Sequence, residues 1–240
     1  MALPIITTPR YELTIPSSNQ KVKYRPFLVK EEKILLLANE TKDQKQIISA
    51  MSNIITNCTF GEVDVNSLAT FDIEYIFLQL RSKSVGEVVD ISVKCKKCEA
   101  AIPLKININE VEVKKEQGIS NNINIFENTG VILKYPNFDA LQKLESAGGS
   151  DGKKTEELIS FIATCIEKIY DDKQVYSANE HTKTELVDFL ESLPQMVFSK
   201  IMNFFNKMPH LHKMVTVKCE KCGHEDTVEF RGAQDFFPSA

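Results

Sequence analysis

The chain has 240 residues, 42% of them hydrophobic and 26% charged, enough to bury a sizeable core as one large domain or two modest ones. Its net charge of −4 provides no global basic field for nucleic acid. No apolar run approaches the roughly 20 residues needed to span a bilayer. The opening segment, MALPIITTPRYELTIP, lacks the basic start and apolar block of a signal peptide, so the expected compartment is a reducing cytoplasm.

In chain order, residues 10–28 read as two short strands around the polar turn SSNQ. VKEEKILLLANE follows as a short helix whose apolar run, Ile34 to Leu37, is expected to turn mostly inward. KDQKQIISAMSNIITNC then places Ile47, Ile48, Met51, Ile54, Ile55 and Cys58 at helical spacing, a packing stripe with a polar back. SLATFDIEYIFLQLRSKSVGE is the densest segment and predicts a central helix. Thr70 is its candidate N-cap, Asp72 and Glu74 lie in its first turn, and Arg81 and Lys83 in its last.

VVDISVK then leads into Cys95 and Cys98, and AIPLKIN leads away, which predicts a β-hairpin with CxxC at its tip. NINIFENTGVILKYP reads as another hairpin, with ENTG as its turn. FDALQKLES predicts a short helix, and AGGSDGKK at 147–154 a loop. That loop does not match the phosphate-cradling pattern GxxxxGK[ST]. TEELISFIATCIEKIYDD is expected to form one amphipathic helix. TKTELVDFLESL forms a second, capped by Thr182 or Thr184. Pro194 starts a third, PQMVFSKIMNFFNKMP, closed before Pro209. Met196, Phe198, Ile201, Met202, Phe204 and Phe205 surround this last helix, so it sits deep in the core or docks a partner. The terminal Phe236 and Phe237 raise the same choice.

Near the end, KMVTVK and HEDTVEF flank Cys219 and Cys222, repeating the strand–knuckle–strand pattern, with Gly223 suited to a tight turn. Disulfides rarely persist in a reducing compartment, so paired CxxC motifs point to metal or redox chemistry. A redox CxxC belongs at a helix start, where the dipole lowers the thiol pKa, and neither pair has that context. One knuckle supplies two thiolates and a structural zinc requires four. The expected metal ligands are therefore Cys95, Cys98, Cys219 and Cys222, holding a structural Zn2+ that joins two distant hairpins. Lys94, Lys96, Lys97, Lys218 and Lys221 partly offset the thiolate charge. His224 is an adjacent spare ligand, and His210 and His212 are read as surface residues. Cys58 and Cys165 are read as buried small hydrophobes.

The fold class expected is α+β: a helical core with several antiparallel β-hairpins, two of which form a four-cysteine, zinc-ribbon-like clamp. The whole chain, 1–240, is taken as one domain. Its sub-regions are an N-terminal hairpin (1–28), a helical part (29–86), hairpins with the first knuckle (87–135), a second helical part (136–209) and the second knuckle with the tail (210–240).

Three segments carry a resemblance: FDIEYIFLQLRSKSVGE at 71–87, FLESLPQMVFSKIMNFFNKMPHL at 189–211, and KCEKCG followed by FRGAQDFF. Over about 70 to 237 the chain resembles the baseplate hub subunit family of T-even-like contractile-tail phages. The resemblance implies a non-enzymatic tail protein, either a building block or an assembly factor of the baseplate hub. Its partners would be other hub and tail proteins, with self-association a further option, and it would act in the host cytoplasm and in the virion tail. Candidate partner-binding residues are Met196, Phe198, Met202, Phe205, Phe236 and Phe237. The residues themselves show no catalytic constellation. A zinc-ribbon nucleic-acid binder is the alternative, favoured by the knuckle lysines. The acidic total and the lack of aromatics interleaved with those lysines oppose it.

Overall fold

The computed structural model describes residues 7–41, 44–116, 118–137, 140 and 154–236. The chain forms two compact units, one from Met1–Lys114 with Pro209–Ala240 and one from Lys115–Met208. The expected helix at FDALQKLES falls mostly outside the described residues, and so does nearly all of the loop at 147–154.

The first unit opens with an antiparallel pair, β1 (Tyr11–Thr14) and β2 (Lys21–Tyr24). Alternation turns Leu13, Val22 and Tyr24 inward. Helices α1 (Val29–Thr41), α2 (Gln44–Cys58) and α3 (Thr70–Ser84) follow. Of the amphipathic stripe of α2, Ile54, Ile55 and Cys58 are buried with Ala50 beside them, and Ile47 and Met51 are half-buried. Helix α3 is central, burying Phe71, Ile73, Ile76, Phe77, Leu78 and Leu80. Its N-cap is Ala69, and Thr70 is its first helical residue, not the cap expected from sequence. Asp72 in that first turn is buried and accepts a hydrogen bond from the Ser17 N–H at 3.0 Å, tying the β1–β2 turn to the helix.

Helix α1 departs from expectation. Ile34, Leu36 and Leu37 are exposed, while Glu31 and Ala38 face inward. The cause is polar. Glu31 takes an ion pair from Arg25 at 2.9 Å and a hydrogen bond from the Leu28 N–H at 2.7 Å. A buried carboxylate so satisfied fixes the rotation of the helix and leaves its leucines outside.

The rest of the first unit is two hairpins and a short strand. β3 (Val88–Lys94) pairs with β4 (Ala101–Asn107). β10 (His210–Lys218) pairs with β11 (Glu225–Arg231) along its length and with β5 (Glu112–Lys114) at its start. Leu78 of α3, Val89, Ile106, Ile108, Val111, Leu211, Phe230 and Phe236 close one core between them.

The second unit carries a four-stranded antiparallel sheet in the order β6 (Asn122–Phe126), β7 (Thr129–Leu133), β8 (Ile166–Tyr170), β9 (Val175–Ser177). Helices α4 (Lys154–Thr164), α5 (Lys183–Glu191) and α6 (Gln195–Asn206) belong to the same unit. The single helix expected over TEELISFIATCIEKIYDD stops at Thr164, and the remainder is the strand β8. Ile166, Ile169 and Tyr170 are β-branched or aromatic, and pairing with β7 and β9 on either side overrides helical spacing. Of the two candidate caps of helix α5, Thr182 is the N-cap and closes a capping box in which Thr182 and Glu185 bond each other's backbone N–H. Pro194 is the N-cap of α6.

Candidate metal centre

Each cysteine pair sits in a six-residue knuckle closed by the last register pair of its hairpin, Lys94↔Ala101 in one and Lys218↔Glu225 in the other. The two knuckles have the same backbone wiring. The Cys95 N–H donates to the Ala100 carbonyl (2.9 Å) and the Glu99 N–H to the Cys95 carbonyl (2.9 Å). The Cys219 N–H donates to the His224 carbonyl (2.8 Å) and the Gly223 N–H to the Cys219 carbonyl (2.8 Å). The residue after the second cysteine is left-handed in both, Glu99 at φ 56° and Gly223 at φ 68°. Glycine meets that demand without cost at one knuckle, whereas glutamate is held there by the turn at the other.

The repeated turn aims all four sulfurs at one point. Cys95 Sγ lies 3.7 Å from Cys222 Sγ, and Cys98 Sγ lies 3.6 Å from Cys219 Sγ. All four are within 4.8 Å of one another. A tetrahedron of sulfurs with bonds of about 2.3 Å has edges of about 3.8 Å, so the donor set fits one four-coordinate ion. The first cysteine of each knuckle is buried, Cys95 at 3% exposure and Cys219 at 1%, and the second is half-buried. All four are free thiols. Beneath them is a small apolar cluster whose buried aliphatic members are Ile102 and Val217.

The backbone field favours a thiolate at Cys95. The N–H groups of Lys97 and Cys98 point at Cys95 and bring its thiol down to about 6. Cys98 is pulled down by the Ala100 N–H, yet the sulfur of Cys222, desolvation, and the sulfurs of Cys219 and Cys95 outweigh this and push it up to about 12. Four sulfurs this close share protons, and a cation would displace them. Among the knuckle lysines, Lys96 crosses from the first hairpin to Asp226 of the second at 2.7 Å, and Lys218 pairs with Glu225 at 2.7 Å. These two lysines are thus engaged with carboxylates of the second hairpin and do not form a bare basic patch.

The other residues singled out from sequence have different places. His224 contributes its main-chain carbonyl to the knuckle, and its ring is not in the cluster. His210 and His212 lie on β10, where His212 Nε2 is 3.2 Å from Glu229. Cys58 and Cys165 are fully buried, and burial pushes both thiols up to about 11. Phe236 is fully buried against Phe230, ring centroids 5.9 Å apart, so it is core and offers no face to a partner. Phe237 lies outside the described residues. Phe198, Met202 and Phe205 are half-buried against the core of the second unit, and Met196 is 75% exposed. The Lys96–Asp226 bridge escaped the sequence reading, because one lysine among five flanking the knuckles carries no mark of its partner.

Fold and site together define a class: an antiparallel α+β protein in which two hairpins, distant in sequence, meet at a four-thiol centre able to hold a metal ion. Over residues 8–238 the chain matches the T4 bacteriophage base plate protein family, and it belongs to that family. No curated protein and no solved structure matches it. Among the described residues, no helix is long and apolar enough to cross a membrane.

Proposed function

We propose that this baseplate protein is a non-enzymatic component of the baseplate hub of a contractile tail, built around a structural Zn2+. The observation that carries the metal reading is the convergence of Cys95, Cys98, Cys219 and Cys222 through two identically wired knuckles. Four thiolates fill a tetrahedral ion and leave no position for water, so such a zinc has no catalytic role. It would weld the β3–β4 and β10–β11 hairpins into a zinc-ribbon-like platform. Assembly of tail proteins in the host cytoplasm, followed by residence in the virion tail, fits family membership. For partner docking, the exposed Met196 and the half-buried Phe198, Met202 and Phe205 on α6 are the remaining candidates.

Quantitative mass spectrometry of purified virions and of free baseplate intermediates tests the role. Defined copies in both identify a structural hub subunit. Presence in intermediates and absence from virions identifies an assembly factor. Absence from both overturns the hub reading. The metal is read separately, by elemental analysis of the purified chain, where one zinc per chain is expected.

A further inference from the structure

We infer that α1 is a self-association surface, through which two copies of this chain pair helix to helix in antiparallel register. The inference does not depend on the metal or on the hub reading. Along α1, residues 33, 36, 37 and 40 follow the spacing that places side chains on one helical face. That face reads Lys33, Leu36, Leu37, Glu40, with Val29 one turn earlier. Leu36 is 59% exposed, Leu37 51% and Val29 80%, and both charged residues are exposed. A surface leucine pair bounded by one cation and one anion, a turn to either side, is self-complementary.

An antiparallel second copy whose twofold axis passes between Leu36 and Leu37 sets each Leu36 against the other copy's Leu37. The same operation sets each Lys33 against the other copy's Glu40. The contact is isologous, so every favourable pair occurs twice, as closed dimer symmetry requires. Shifting the axis by half a residue toward the N-terminus opposes Glu32 to Glu40, so charge selects the register. Helix rotation supports the same conclusion. The Arg25–Glu31 pair anchors the inner face, so these leucines cannot be turned inward without breaking a buried ion pair.

A two-helix contact is smaller than the ~1,200 Å² of a standard stable interface, so the dimer should be weak, with a dissociation constant of roughly tens of micromolar. Sedimentation equilibrium of the full chain tests this. The natural chain should show a monomer–dimer equilibrium. The double variant Leu36→Glu/Leu37→Glu should be monomeric, with an unchanged helical circular dichroism spectrum because both positions are exposed. Lys33→Glu alone and Glu40→Lys alone should each weaken the dimer about three- to tenfold, and the combined reversal should restore it. A natural chain that stays monomeric to several hundred micromolar, roughly ten times the expected constant, overturns the inference. So does a dimer that survives the double glutamate variant, or a combined reversal no better than the single ones. Retention of a different tail protein by α1 in a monomeric chain would likewise replace it.

Discussion

Removing two cysteines of the proposed metal centre should unfasten the knuckles and leave the second unit intact. The two knuckles, residues 95–100 and 219–224, comprise twelve ordered residues. Fixing their backbones costs about 12–24 kcal/mol at ~1–2 kcal/mol per residue. The buried aliphatic side chains beneath them, Ile102 and Val217, return only about 3–6 kcal/mol. A structural zinc contributes about 10–16 kcal/mol of apparent binding energy, which closes most of the difference. In Cys95→Ser/Cys219→Ser, each knuckle loses its buried sulfur and no four-coordinate site remains. The assay is limited trypsin digestion with elemental analysis. The variant should lose zinc and be cut at Lys94, Lys96, Lys97, Lys218 and Lys221, while α5 and α6 remain protected. A variant that is soluble, zinc-free and as resistant as the natural chain would refute the staple.

Four further outcomes follow from the packing. A Cβ on Gly130 would collide with the Tyr170 hydroxyl, which donates to the Asn122 and Asn124 side-chain oxygens at 2.7 and 2.9 Å; Gly130→Ala should therefore cost about 1–3 kcal/mol in urea unfolding, and nearly nothing on a Tyr170→Ala background. Arg25→Ala would leave the buried Glu31 carboxylate with the Leu28 N–H and the exposed Lys30 at 3.6 Å, and should cost about 2–3 kcal/mol by the same measurement, whereas Arg25→Met/Glu31→Leu should be far milder. Burial pushes the Glu74 carboxyl up to about 7, outweighing the Ala233 N–H that lowers it, with Asp235 adding to the rise. The folded form then holds a proton that the unfolded chain releases near 4.5, so stability is full below that pH and falls as pH rises to about 7, by ~2–3 kcal/mol, and thermal melts of Glu74→Gln should lack this slope. Finally, Lys114 and His210 are register partners of β5 and β10, so replacing residues 115–209 with an Asn-Gly turn should leave a chain that still binds one zinc, as elemental analysis would show.

The parts legible in the sequence were those written in short-range pattern. Alternation around each CxxC announced two hairpins, and the matching knuckles announced a shared centre. The 3.6-residue stripe of α2 was equally readable, while the cap of α5 stayed open between Thr182 and Thr184. What escaped depended on neighbours far along the chain. β8 is a strand because β7 and β9 flank it, while its own residues, Ile166–Tyr170, also continue a helical stripe. Leu36 and Leu37 looked like core because they are apolar, but the rotation of α1 is set by Arg25 and Glu31. Phe236 was left open between core and partner docking because nothing local shows that Phe230, Leu78 and Ile106 leave room for it.

The topology explains why a four-cysteine cluster sits where it does. The chain leaves the first unit after Lys114 and returns at Pro209, so β10 must find its partners across a long excursion. At its start, β10 is held by three register pairs with β5. At its far end, among the described residues, the two hairpins share a thin apolar cluster and the Lys96–Asp226 bridge, which is exposed on the lysine side and so adds little. Closing a loop of this length costs several kcal/mol in the chain-entropy account, more than such a contact supplies. Four thiolates on one ion would deliver that energy at a single point. They also fix the geometry of both knuckles at once, which a larger apolar core would do less sharply. Rigidity at the junction of two hairpins is what the ion would add.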